Sequence, residues 1–218
     1  MLLEADDDTQ KLVDLSVKAF TEETSRESPA PGGGTIAACM GAMGAALGTM
    51  VANLSAHKRG WDERWEEFSR WAEKGQALQS RLLRLIDDDT AAFNEIMAAF
   101  GMPKSNDEEK TLRSAAIQTA TLHAAQVPLE TMKTAFEAFA LCKAMAENGN
   151  PNSISDAGVG ALAIRAAVRG ACMNVKINAS SLKDRSLAEP LIAEADRIAE
   201  EADREEAAIT SFINARLV

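Results

Sequence analysis

Asp89 is the residue in this sequence best placed to do chemistry. It closes an acidic triplet, Asp87, Asp88 and Asp89, which on a helix is ordinarily solvated surface. The helical period separates the three. Leu78, Leu82, Leu85, Ile86, Phe93 and Ile96 fall on one stripe, and Asp89 lies within roughly 60° of each of them. Asp87 projects to the opposite side and Asp88 to the flank. A carboxylate on a core-facing stripe must be paired or have a raised pKa. A raised carboxylate pKa is what general acid–base catalysis near neutral pH requires.

Three other groups of residues could hold a ligand. Residues 28–35 read SPAPGGGT. The prolines exclude helix and the glycines free the backbone. A glycine-rich entry leaves N–H groups open at the start of the next helix, which suits an anion or a polarised ligand atom. The same glycines would serve a tight turn with no ligand. Pro31, Gly32, Gly33, Gly34 and Thr35 are therefore candidate contacts. Further on, Asp156 and Asn174 are spaced by about five helical turns, with Gly160, Ala163, Ala167, Gly170 and Asn178 on or beside the same face. Ser155 and Asp156 read as a helix cap or as ligand contacts. Asn174 and Asn178 read as interhelical hydrogen bonds or as ligand contacts. Finally, His57, Lys58 and Arg59 form a basic knot, and Lys104 follows Pro103. These cations either complement helix ends or receive an acidic ligand tail. His57 and His123 are the only histidines. They lie far apart, outside any paired ligand spacing, so no metal site is expected.

The elements that must position these groups are helical. Residues 36–54 carry no charge, and Gly41, Gly44, Gly48, Ala37, Ala45 and Ala52 share one face. Met40, Met43, Leu47, Met50 and Leu54 form a neighbouring stripe. The length and the small-residue spacing would also suit a membrane span. Gly and Ala contribute little transfer free energy, however, and Thr35, Thr49 and Asn53 add polar groups. A central helix in a closely packed bundle is the better reading. The spacing predicts helices over residues 9–24, 61–100, about 105–126, 129–147, 157–180 and from Pro190 onward. Pro128 should stop one helix and open the next, and Pro190 should occupy a first turn. The bare seam of residues 157–180 matches that of residues 36–54, so these two helices should pack face to face.

Composition agrees. The chain has 218 residues, 46% hydrophobic and 5% aromatic, with no tyrosine. Scarce β-branched and aromatic runs favour helix over strand. The net charge of −10 makes nucleic acid and anionic membrane poor partners. Three scattered cysteines read as reduced thiols in a cytoplasmic protein. Residues 1–10 are acidic and lack the apolar core of a signal peptide. The expected fold is an all-α, single-domain bundle over residues 1–218, with about six to eight helices and two Gly/Ala-rich central ones.

Four motifs, in order, resemble the cyclodeaminase/cyclohydrolase family. They are SPAPGGGT at 28–35, DTAAF at 89–93 followed by MPK at 102–104, GNPNSISD at 149–156, and NVKIN at 174–178. That family includes the C-terminal domain of formiminotransferase-cyclodeaminase and stand-alone methenyltetrahydrofolate cyclohydrolases. The likeness spans about residues 9 to 215. It implies an all-helical homodimer, a tetrahydrofolate substrate with no further cofactor, and Asp89 as the catalytic acid. It favours conversion of 5-formiminotetrahydrofolate to 5,10-methenyltetrahydrofolate with release of ammonia. Hydrolysis of the methenyl compound to 10-formyltetrahydrofolate is the alternative, and a non-catalytic helical dimerisation module is a second one. The resemblance covers no transferase half, so the chain would act alone or beside a separate formiminotransferase.

Overall fold

A computed structural model describes residues 11–217. Among these residues there are six α-helices and no strand: α1 Val17–Thr24, α2 Gly33–Ala56, α3 Trp65–Gly101, α4 Asp107–Asn148, α5 Ile154–Ser180 and α6 Arg185–Asn214. Short 3-10 turns at Leu12–Asp14, Asp62–Arg64 and Pro151–Ser153 precede α1, α3 and α5.

The chain is built around α2. It lies against α3, α4 and α5, with α6 outside α4 and α5. α2 and α5 run antiparallel. Gly33 meets Asn174 at one end, and at the other Ser55 Oγ accepts a hydrogen bond from Asn150 N at 2.8 Å. The predicted face-to-face seam is present. A Cβ on Gly44 would lie 2.8 Å from the Gly160 carbonyl oxygen and 2.7 Å from Ile164 Cγ1. Two backbones touch there, which only glycine allows. The interior is alanine-rich for the same reason, with Ala37, Ala45, Ala52, Ala161 and Ala167 fully buried. α2 has the length and mean hydropathy (1.6) of a membrane span, but 61% of its apolar window is buried inside the protein.

Several boundaries differ from the sequence reading. The first predicted helix is split at Leu15 and Ser16, and Ser16 Oγ caps α1 by accepting from Ala19 N. Thr9 and Gln10 lie outside the described residues. Trp61 stands before α3 rather than inside it. Ser155 and Asp156 are helical residues of α5 and not its cap. α6 begins at Arg185, capped by Asp184, so Pro190 is interior rather than in the first turn.

The largest difference is at Pro128, which lies inside the continuous helix α4. A proline there removes the N–H that would bond to the carbonyl of Ala124 and costs ~3 kcal/mol. The free carbonyl is not left bare. Asn178 Nδ2 of α5 donates to Ala124 O at 2.6 Å. A neighbouring helix replaces the missing bond, so the break never forms.

Candidate active site

A cleft of about 210 Å³ opens where the N-terminus of α2 meets α3, α4 and the last turns of α5. It is lined by Pro29, Ala30, Gly32, Gly33, Gly34, Asp89, Phe93, Ile96, Ala124, Asn174 and Asn178. Three of the sequence motifs meet here although they are far apart along the chain.

Asp89 is the one acidic side chain that lines the cleft. Thr35 Oγ1 donates to Asp89 Oδ2 at 2.8 Å. The Thr35 hydroxyl in turn accepts from Gly32 N at 3.3 Å and lies 3.4 Å from Thr90 Oγ1. Thr35 has one proton and spends it on Asp89, so Thr90 is the donor in that pair. No other side chain donates to Asp89 Oδ1 among the described residues. That oxygen rests against the backbone of Gly34, where any Cβ would overlap the carboxyl group. Gly34 therefore makes room for the acid, a tighter demand than freedom to turn.

Burial pushes the Asp89 carboxyl above its ordinary pKa, and hydrogen bonds from the Thr35 hydroxyl and backbone pull partly against that shift. The site thus holds one carboxyl group that can take or give a proton next to a small apolar surface formed by Phe93 and Ile96.

Asp88 is exposed. Asp87 turns away from the cleft as expected, but it has a task. It is half-buried, and its Oδ1 accepts from Leu12 N at 2.8 Å, tying the N-terminal segment to α3.

The other candidates are placed as follows. Gly33 faces the cleft opposite Asn174, and Pro31 is buried in the turn behind it. Ser155 and Asp156 lie at the opposite end of α5 from Asn174, ~27 Å along the helix. Lys58 follows α2 at its far end, ~35 Å from Gly34. Its Nζ lies 3.9 Å over the ring of Trp61. Lys104 is exposed in the loop after α3. The chain brings together the glycine loop, Asp89, Asn174 and Asn178; Ser155, Asp156, Lys58 and Lys104 are not among the residues that line the cleft. No group of three metal-ligating side chains occurs among the described residues.

Sequence reasoning missed Ala124 as a lining residue. The available signal was Pro128, four positions on, which frees the Ala124 carbonyl. It also missed the pair of His123 and Glu95, whose Nδ1 and Oε2 approach to 2.8 Å and join α4 to α3 beside the cleft.

The sequence pattern described as formiminotransferase-cyclodeaminase matches residues 16–197. The chain is 41% identical over 187 residues to a methenyltetrahydrofolate cyclohydrolase of Methylorubrum extorquens, covering 86% of this chain and 90% of that protein. It is 32% identical over 207 residues to formimidoyltransferase-cyclodeaminase of Rattus norvegicus, covering 95% of this chain but only 38% of that protein. The fold is also that of a solved formiminotetrahydrofolate cyclodeaminase from Thermotoga maritima. There the TM-score is 0.84 at 26% identity, over 95% of this chain and all of that one.

Proposed function

The chain belongs to the formiminotransferase-cyclodeaminase family, and on that footing we propose that it is a methenyltetrahydrofolate cyclohydrolase. The observation that carries this choice is the 41% identity to the Methylorubrum cyclohydrolase, which runs through most of both chains. The sequence motifs alone favoured the cyclodeaminase. The identity to the rat enzyme is lower, at 32%.

The chemistry asks for one acid–base group. Water attacks the methenyl carbon held between nitrogens 5 and 10 of the folate. Asp89 Oδ1 accepts a proton from that water. It then delivers the proton to nitrogen 5 as the bond from nitrogen 5 to the carbon breaks. The new hydroxyl loses its proton to solvent, and 10-formyltetrahydrofolate results. The cleft is smaller than the ~300–1,000 Å³ typical of sites that enclose a whole drug-sized ligand. It would take the reacting ring system, and the rest of the folate would run out over the surface.

The cyclodeaminase reading is kept because the Thermotoga and rat relatives carry that name. In it, nitrogen 10 attacks the formimino carbon and Asp89 protonates the departing ammonia. Purified protein incubated with each folate separates the two. Faster loss of methenyl absorbance without ammonia supports the hydrolase. Ammonia release with growth of that absorbance overturns it in favour of the deaminase, and neither change overturns both.

We further infer a homodimer. Met43, Met50 and Leu54 of α2 and Val159, Leu162, Met173 and Ile177 of α5 are exposed, and these two helices pack side by side. Together they expose on the order of 600 Å² of apolar surface, at the upper end of what monomers leave uncovered. A separate formiminotransferase is a partner only under the cyclodeaminase reading.

A further inference from the structure

Asn174 and Asn178 are both pinned by their nitrogen atoms. Asn174 Nδ2 donates to the Gly170 carbonyl at 2.9 Å, and Asn178 Nδ2 donates to the Ala124 carbonyl at 2.6 Å. A carbonyl oxygen can accept only from the NH₂ end of an amide, so these bonds fix the orientation of both side chains. The bond from Asn178 exists because Pro128 has no N–H to give Ala124. Both Oδ1 atoms are left for the cleft, and among the described residues neither takes a hydrogen bond from the protein. The two side chains are one helical turn apart, ~5–6 Å at their Cβ atoms. With Asp89 Oδ1, they turn one wall of the cleft into a set of acceptors.

We propose that Asn174 and Asn178 determine specificity by accepting hydrogen bonds from ring N–H donors, with Pro128 and Ala124 as the positioning pair that holds Asn178. The inference rests on the folate reading above. A tetrahydropterin ring offers such donors, and nitrogen 8 and the 2-amino group are the two that these oxygens would accept from. A site built of acceptors leaves oxygens unpaired when the ligand lacks a donor, which is how polar sites reject close analogues.

The test is equilibrium binding, measured by calorimetry, of tetrahydrofolate and its 8-deaza and 2-desamino analogues. Wild-type protein should bind at least one analogue about tenfold more weakly than tetrahydrofolate. Asn174→Leu or Asn178→Leu should weaken tetrahydrofolate by a similar factor and show no further loss with the matching analogue. Pro128→Ala restores a helical N–H to Ala124 and releases the Asn178 amide. It should blunt discrimination at Asn178 without lowering Tm, an outcome that a purely structural role would not produce. Equal affinity of the wild-type protein for all three ligands overturns the acceptor role and needs no variant to fold. Unaltered discrimination in Pro128→Ala overturns the part assigned to Pro128 and Ala124. Failure of wild-type protein to bind tetrahydrofolate at all overturns the folate reading itself, and this proposal with it.

Discussion

Ionising Asp89 in its place on α3 works against the fold. Its pKa is raised in the folded protein, chiefly by burial. The stability it contributes is therefore present in full below its unfolded pKa and is lost as pH rises through the raised folded value. Asp89→Asn removes that loss. The variant should melt at a higher temperature than wild type at neutral pH, and the difference should close as the pH is lowered below the ordinary aspartate range. Turnover should fall by about 10²–10⁴ while folate affinity stays within a few fold. A variant destabilised at neutral pH would contradict the assignment of burial as the main cause. The same shift gives kinetics a direction. As a base in hydrolysis, Asp89 makes kcat/KM rise with pH through its pKa; as an acid in deamination, it makes kcat/KM fall. Thr35→Val keeps volume but removes the hydroxyl that lowers this pKa. Its acid limb should move to higher pH, with the plateau rate largely retained. An unmoved limb would mean that the bond from Thr35 to Asp89 does not tune the acid.

At the scale of elements, α2 sets the geometry because its neighbours approach its backbone. Gly44→Ala would push a Cβ into Ile164 and the Gly160 carbonyl and should cost ~1–3 kcal/mol. Gly101→Ala meets nothing within 4 Å and should leave Tm almost unchanged. Equal melting of the two variants would show that the α2–α5 seam is not closely packed. This seam was legible because small residues at a helical period leave a mark in the sequence. The place of Asp89 was legible for the same reason, since a charge inside an apolar stripe breaks the pattern. The prolines misled because their cost is local and their compensation is not. Nothing near Pro128 reveals that Asn178, fifty residues later, supplies a donor to Ala124. Ser155 and Asp156 have the sequence of a cap, but the 3-10 turn at Pro151–Ser153 starts the helical path earlier. The grouping of Asn174 with Asp89 rests on α2 and α5 running antiparallel, a tertiary fact that spacing within either helix does not encode.

At the scale of the whole molecule, the apolar face and the cleft share an edge. Met173 and Ile177 are 70% and 67% exposed, and they immediately precede Asn174 and Asn178 in the α5 wall of the cleft. A second copy lying on the α2–α5 face would cover these side chains and exclude water from the outer margin of the cleft. It would also be the route by which Ser155 and Asp156, ~27 Å away in the same protomer, could approach a cleft. Leu162→Glu together with Met50→Glu puts charges into the middle of that face, about 18 Å along α5 from Asn174. Buried in an apolar contact without partners, two carboxylates per chain should dissociate the dimer. Sedimentation should show a dimer for wild type and a folded monomer for the variant, with helical content preserved. Neither substituted residue lines the cleft, so any kinetic change must come through the lost partner. The expected change is a raised KM, with a smaller effect on kcat, because covering the margin binds ground and transition states alike. A monomer with wild-type KM would show that the cleft is complete within one chain. Ser155 and Asp156 would then have no route to the ligand, and their place would be at the α2–α5 end alone. A variant that stays dimeric would instead place the interface on another face of the protein.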